Sequence, residues 1–450
     1  MSHWAYNSSF YHIYPLGLCG APARNDFSAP PQARLEKLYG WIEHLHYLGT
    51  NALYLGPVFE SSSHGYNTAD YYQVDRRLGS NDTLAQLVLE LHRQGIRVVL
   101  DGVFNHVGRN FWAFRDVQDR GAQSAYVDWF AGLRFDQPNQ HGDPFSYDGW
   151  NGHTSLVKLN LHNPAVREHL LGAVRLWIET FEIDGLRLDA ADCVDHDFLR
   201  ALAQHCHTLK PDFWLMGEVV HGDYRQWANP GELHSVTNYE CYKGLYSSFN
   251  DSNFFEIAYA LNRQFGDEGI YRDIPLYNFV DNHDVNRIAS TLTDPRHLAA
   301  LHLLLYSMPG VPSIYAGSEF GIAGKKTSSS DAALRPALDL YALNASGPQR
   351  ELVGTLHQLA AVRQASPALR LGDYQPVHVS SQGLVFTRQN NDDFALVAIN
   401  ASDQPLELTL DVPAAAQRHL LDRLNQNQPV EQHGAQLQLV VPPYWGQILE

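Results

Sequence analysis

Cysteine is scarce in this chain of 450 residues. The four present, Cys19, Cys193, Cys206 and Cys241, are scattered and form no C-x-x-C pair, which excludes the common zinc frameworks. A chain of this length does not need disulfides, so a reduced, cytoplasmic protein is expected. Positive charge is short as well: 32 Lys and Arg against 49 Asp and Glu give a formal net charge of −17. Phosphate backbones and anionic membrane surfaces are bound by clustered cations, so neither nucleic acid nor a membrane is an expected partner. No stretch approaches the ~20 apolar residues that cross a bilayer. The opening Met1-Ser2-His3-Trp4-Ala5-Tyr6 lacks the basic stretch and apolar run of a secretory signal. Tandem repeats and long low-complexity tracts are absent too. With 44% hydrophobic and 18% charged residues, the chain is expected to fold, as two or three domains or one large barrel with additions. Aromatics are plentiful, and a small, neutral, polyhydroxylated ligand is compatible with these balances.

Short apolar, β-branched runs end in polar residues at 10–16, 51–55, 96–101, 183–189, 213–218, 235–239, 276–281 and 311–315. Helical patterns lie between many of them, at 35–48, 83–94, 164–181 and 297–307. Buried runs alternating with helices predict parallel strands with crossover helices, and eight of them predict a (β/α)8 TIM barrel. A doubly wound open sheet is the competing architecture. Two stretches break the rhythm. Residues 107–158 are too long and turn-rich for a connection and read as a small inserted domain after the third strand. After about residue 371 the apolar period becomes two, as in Phe394-Ala395-Leu396-Val397-Ala398-Ile399, predicting a C-terminal antiparallel β-sandwich. The expected divisions are 1–106 and 159–370 for the barrel, 107–158 for the insert and 371–450 for the sandwich. Residues 324–347, with Lys325, Lys326 and Ser328-Ser329-Ser330, read as a mobile loop after the last barrel strand.

Acids and histidines collect where the strands end. Asp101, Arg187 with Asp189, Glu218, and His283 with Asp284 follow four different runs. A single Asp after a strand is most often a cap or turn residue, and a single His is most often structural. Four strand ends carrying acids are hard to obtain from capping alone. In a barrel those ends converge on one face, where catalysis takes place. Carboxylates sharing a site have their pKa values pushed apart, so one stays ionised while another keeps its proton. That division of labour cleaves glycosidic bonds. Arg187 lies two residues before Asp189, on the same side of a strand, where its charge keeps Asp189 ionised.

These motifs resemble the α-amylase superfamily, glycoside hydrolase family 13. Its pattern Asp-x-Val-x-Asn-His is matched by Asp101, Val103, Asn105 and His106, and Gly-x-Arg-x-Asp-Ala by Gly185 to Ala190. Gly217-Glu218 and Asn282-His283-Asp284 match the motifs of the fifth and seventh strands. Gly65-Tyr66 with Asp70-Tyr71-Tyr72, and the run from Gly310 to Gly317, agree as well. The resemblance implies that Asp189 is a nucleophile forming a covalent glycosyl intermediate. It implies that Glu218 is the acid and then the base, and that Asp284 binds and distorts the sugar. Arg187 would orient Asp189, His106 and His283 would hydrogen-bond the sugar, Tyr66 would stack on it, and Asp101 would support the site from below. His64, in Ser63-His64-Gly65-Tyr66-Asn67, joins the substrate-binding set.

Leu156-Val157-Lys158-Leu159-Asn160 is similar to the Met-Pro-Lys-Leu-Asn motif of neopullulanases, cyclomaltodextrinases and maltogenic amylases. The expected activity is retaining hydrolysis of α-1,4-glucosidic bonds in cyclodextrins and short maltodextrins. A transferase or isomerase on the same scaffold, a starch- or pullulan-degrading enzyme, and a non-catalytic family member are the alternatives. The inserted segment's aromatics, Trp112, Phe114, Trp129, Phe145, Tyr147 and Trp150, read mostly as its core, with one or two in the cleft. The resemblance leaves calcium open through Asn105 with Asp136, Asp143 or Asp148, but no dense acidic loop is present and no obligatory metal is expected. A homodimer stays open.

Overall fold

The computed structural model describes residues 3–450; Met1 and Ser2, part of the opening read for a signal, lie outside the described residues. Eight strands form one parallel sheet: β1 (Phe10–Ile13), β2 (Ala52–Leu55), β3 (Arg97–Gly102), β4 (Gly185–Leu188), β5 (Trp214–Gly217), β6 (Ser235–Val236), β7 (Tyr277–Phe279) and β8 (Val311–Tyr315). The hydrogen-bonded order is β6-β5-β4-β3-β2-β1-β8-β7. A parallel bridge between Thr237 and Tyr277 joins the two ends, so the sheet closes. This overturns the doubly wound alternative, and the fold is a TIM barrel. The strands are buried on both faces, as parallel strands wrapped by helices must be.

Several runs are shorter than the sequence predicts. β1 stops at Ile13 because Pro15, without an N–H for the ladder, begins the helical turn Pro15–Leu18. The predicted helix at 35–48 is a 3₁₀ stretch, Arg34–Trp41, running into an α-helix, Ile42–Tyr47, with Gly40 near the junction. Other helices follow their patterns. In α1 (Pro164–Phe181), Pro164 takes the first helical position, and the Asn163 side chain accepts the Ala165 N–H at 2.8 Å. Its apolar stripe, Val166, Leu170, Val174, Trp177 and Phe181, faces the barrel.

Trp177 is fully buried, stacks on Phe59 with ring centroids 4.1 Å apart, and donates from Nε1 to the Tyr71 carbonyl at 2.8 Å. Trp177→Ala is expected to cost about 3–5 kcal/mol, from lost burial plus the cavity left behind. A lower urea midpoint with an unchanged slope is the expected readout.

The segment between β3 and β4 carries a three-stranded antiparallel sheet, His106–Gly108, Gly149–Trp150 and His153–Lys158, with the helix Trp112–Arg120. Phe114, Trp129, Phe130, Phe145 and Tyr147 are buried within it. At the C-terminus, sheets of six and three strands form the β-sandwich. The strand Gln436–Val441 alternates exposed and buried residues, and its Leu437, Leu439 and Val441 join Val385, Leu396 and Leu410 in a separate core. Buried Arg388 ties this domain to the barrel by donating to the Ser307 carbonyl at 2.5 Å. Residues 324–347, expected to be a loop, include the 3₁₀ turn Ala332–Leu334 and the helix Leu340–Ser346. Among the described residues no helix is long and apolar enough to cross a membrane.

Candidate active site

The C-terminal ends of β3, β4, β5 and β7 open into one cavity of about 610 Å³. Arg187, on β4 and 3% exposed, stands beneath it. One terminal nitrogen donates to Asp101 at 3.0 and 3.2 Å and to Asp189 Oδ1 at 3.2 Å. The other reaches Glu218 Oε2 at 2.9 Å. A single guanidinium thus holds three carboxylates from three strand ends. Removing that many charges from water together is affordable only with such a buried cation.

Asp101 is the most enclosed of the three. The hydroxyls of Tyr54 and Tyr66 donate to its Oδ2 at 2.8 and 2.9 Å, filling the positions that Arg187 leaves. Asp189 and Glu218 face the cavity. Burial pushes both of their carboxyls above the usual range, and the Glu218 charge pushes Asp189 further; Arg187 pulls the other way without outweighing them, which corrects the expectation that its charge alone keeps Asp189 ionised. The pair therefore retains one proton to a higher pH than an isolated carboxylate would. Ala190 turns the chain between the two, with φ of 44°, a left-handed conformation that a residue with a Cβ rarely adopts. Its N–H donates to Glu218 Oε2 at 3.0 Å. The strained turn thus brings a further donor to Glu218, and strain of this kind is stored at functional sites.

Asp284 follows β7. Asn282 shapes its turn by accepting the N–H groups of Asp284 and Val285 at 2.8 and 3.1 Å. Burial works against the Asp284 charge, but His283 at 2.9 Å and Arg335 at 2.7 Å outweigh it and hold the carboxyl well below the usual range. Arg335 comes from the segment after β8. It also donates to the His283 carbonyl at 2.9 Å, pairs with Asp331 at 2.7 Å, and lies over the Tyr14 ring at 4.7 Å. The expected mobile loop is therefore pinned to the site by the half-buried Arg335 cation.

The remaining predicted residues gather around the same space. His106 lies with Nε2 3.8 Å from Asp189 Oδ2 and no hydrogen-bond partner; burial pushes its pKa down to about 4, so the ring is neutral at pH 7. His64 is pushed down to about 4 by burial as well. The Tyr66 hydroxyl contacts both Asp101 and His283. Leu156 lines the cavity, and Lys158 pairs in register with His106 on the strand beside it. Of the inserted aromatics, Trp150 lines the cavity, while Trp112 packs edge-on against Trp129. All nine predicted site residues thus converge. The sequence reading missed Arg335 and Tyr54, gave Asn282 a place in a motif but no role, and expected one or two inserted aromatics in the cleft without singling out Trp150. Arg335 is the one Arg of residues 324–347, and no motif marks it.

The oxygens considered for calcium are Asn105 Oδ1 and the carboxylates of Asp136, Asp143 and Asp148. The Asp143 carboxylate is taken by Arg109 at 2.7 and 3.0 Å and by Asn139 at 2.6 Å. Asn105 Oδ1 is buried without a partner, but among the described residues no three His, Cys, Asp or Glu are grouped to hold a metal. Calcium takes six to eight oxygens.

Comparison with known proteins agrees with this geometry. The α-amylase catalytic domain family matches residues 25–353, and the maltogenic amylase C-terminal domain family matches residues 374–447. A cyclomaltodextrinase of Geobacillus thermopakistaniensis is 32% identical over 430 residues, 91% of this chain and 71% of the relative. Neopullulanase 2 of Thermoactinomyces vulgaris is 31% identical over 473 residues, 99% of this chain and 78% of the relative. Among solved structures, the cyclic α-maltosyl-(1→6)-maltose hydrolase of Arthrobacter globiformis superposes with a TM-score of 0.82 at 26% identity, covering 99% of this chain and 98% of that one.

Proposed function

The chain belongs to the α-amylase family, in the neopullulanase and cyclomaltodextrinase group, and from that premise we propose that it opens cyclodextrins and shortens maltodextrins. It is a retaining hydrolase of α-1,4-glucosidic bonds. The observation that carries the site assignment is the sharing of Arg187 among Asp101, Asp189 and Glu218. One guanidinium keeps Asp189 and Glu218 close, as retaining enzymes require, whose carboxyl groups stand about 5 Å apart.

In the proposed reaction, Glu218 gives its proton to the glycosidic oxygen as the bond to the anomeric carbon breaks. Asp189 attacks that carbon from the opposite face and forms the glycosyl-enzyme. Glu218, now ionised, takes a proton from water as the water displaces Asp189. Asp284, kept charged by Arg335, accepts hydrogen bonds from the sugar, and the unpaired Nε2 of His106 meets a hydroxyl beside Asp189. Tyr66 supplies a ring face for stacking. Arg335→Ala leaves Asp284 with one fewer charge-assisted bond, a loss of about 1.5–3 kcal/mol, and is expected to lower kcat/KM by about 10- to 100-fold.

Chromatography of products from cyclodextrins, maltotriose, pullulan and soluble starch, with Asp189→Asn as the blank, tests the substrate assignment. Fast opening of cyclodextrins with little attack on starch supports it. Inertness toward both cyclodextrins and maltooligosaccharides sinks it. One observation favours a second reading: the Arthrobacter hydrolase, named for a cyclic sugar with 1→6 links, matches this chain nearly end to end. Preference for that sugar over cyclodextrins would establish it. Cys19, Cys206 and Cys241 are buried as free thiols, which supports placement in a reducing compartment such as the cytoplasm.

A further inference from the structure

Beneath the cavity, inside the barrel, lies a separate void of about 20 Å³. His12 of β1 and His283 both wall it, together with Arg187, Asn282, Thr237 and Ser313. Two ring nitrogens here, His12 Nε2 and His283 Nδ1, are buried and have no hydrogen-bond partner in the protein. The two rings meet edge to face with centroids 5.1 Å apart, and no bond joins them directly. Buried polar nitrogens are normally satisfied. A void holds a water once its volume exceeds about 10–15 Å³ and two or more polar groups reach it. The void exceeds that volume, and both histidines line it.

We propose that this void holds one ordered water bridging His12 Nε2 and His283 Nδ1, which makes His12 a positioning residue for His283 and Asp284. The inference rests on the proposed role of that pair at the sugar. Water both donates and accepts, so the bridge serves either protonation state of His283. Its other nitrogen, Nε2, is engaged by Asp284 Oδ2 at 2.9 Å and by the Tyr66 hydroxyl. Fixing Nδ1 from below fixes the ring, and through it the Asp284 carboxylate and Tyr66. His12 is locked for this task. It stacks on Tyr54 at 4.3 Å, and Tyr54 is tied to Asp101 at 2.8 Å. Burial, then the nearby His283 and Arg187, hold the His12 pKa far below its usual value, so it stays neutral and keeps an acceptor. Nothing in the motifs at the strand ends points to His12, which lies on a strand without a catalytic acid.

Three arms test the proposal on the best substrate of the panel above. His12→Phe fills the space but cannot accept a hydrogen bond; kcat is expected to fall about 10- to 100-fold with KM within about threefold, because small displacements of groups at a reacting centre cost this much. His12→Gln places an amide near the Nε2 position and is expected to return kcat to within about threefold of the parent chain. Parent-like kcat in a folded His12→Phe, or equal loss in both variants, overturns the proposal. Should His12→Phe not fold, a high-resolution crystal structure of the parent chain decides: water density between the two nitrogens supports the bridge and an empty void overturns it. Asp284→Asn separates this inference from the reading beneath it. Full activity in that variant defeats the role of Asp284, whereas an inactive Asp284→Asn beside a fully active His12→Phe defeats the bridge alone.

Discussion

Asp189→Asn is expected to lower kcat by a factor on the order of 10⁴ or more, while the protein stays folded. The substitution keeps the size and shape of the side chain and its place beside Arg187 at 3.2 Å. What it removes is the negative charge and the electron pair that attacks the anomeric carbon. An amide is a poor nucleophile, and the charge that balances the oxocarbenium-like transition state is lost with it. Substrate still meets Asp284, His106 and Tyr66, so binding of an unreactive sugar is expected to stay within a few-fold of the parent, with the loss appearing in kcat. A direct chemical check is available. A fluorine beside the anomeric carbon slows both formation and breakdown of the intermediate. A fluorosugar with a good leaving group should therefore leave a stable glycosyl mass on the peptide containing Asp189 in the parent and none in the variant. A label on another residue, or retained activity in Asp189→Asn, would remove Asp189 from its proposed place.

Glu218→Gln is expected to cut turnover of maltooligosaccharides by about 10³-fold or more, with an effect that depends on the leaving group. Departure of a sugar alkoxide needs a proton, and Gln has none to give. Departure of fluoride or a nitrophenolate needs little help, so with such glycosides the first step should be nearly unimpaired and the glycosyl-enzyme should accumulate. Pre-steady-state kinetics would show a burst followed by slow turnover. The pH profile carries a second signature. Burial raises Glu218 above an ordinary carboxyl, so the acid form persists and kcat/KM declines on the alkaline side only above the ordinary Glu range. The acid limb follows protonation of the second carboxylate of the pair. In Glu218→Ala acting on an activated glycoside, the alkaline limb should vanish while the acid limb remains. An alkaline limb that persists there would assign it to another group.

Much of this was readable before any coordinates. Eight apolar runs ending in polar residues announced parallel strands because strands wrapped by helices are buried on both faces. Spacing placed Arg187 and Asp189 on one side of a strand, the motifs at four strand ends named seven residues and the stretch Ser63 to Asn67 two more, and all nine converge. Other matters could not be read along the chain. Asp143 has the right chemistry for calcium, but Arg109, 34 residues earlier, claims its carboxylate. Arg335 reaches Asp284 across 51 residues, and His12 meets His283 from a strand on the far side of the sequence. Local sequence determines which backbone shape each segment prefers and which side chains point inward, since both follow from periodicity and sterics between near neighbours. Which donor meets which acceptor is settled only when the barrel closes. A single Arg or His leaves no periodic trace, and the burial that sets its charge is supplied by residues distant in the chain.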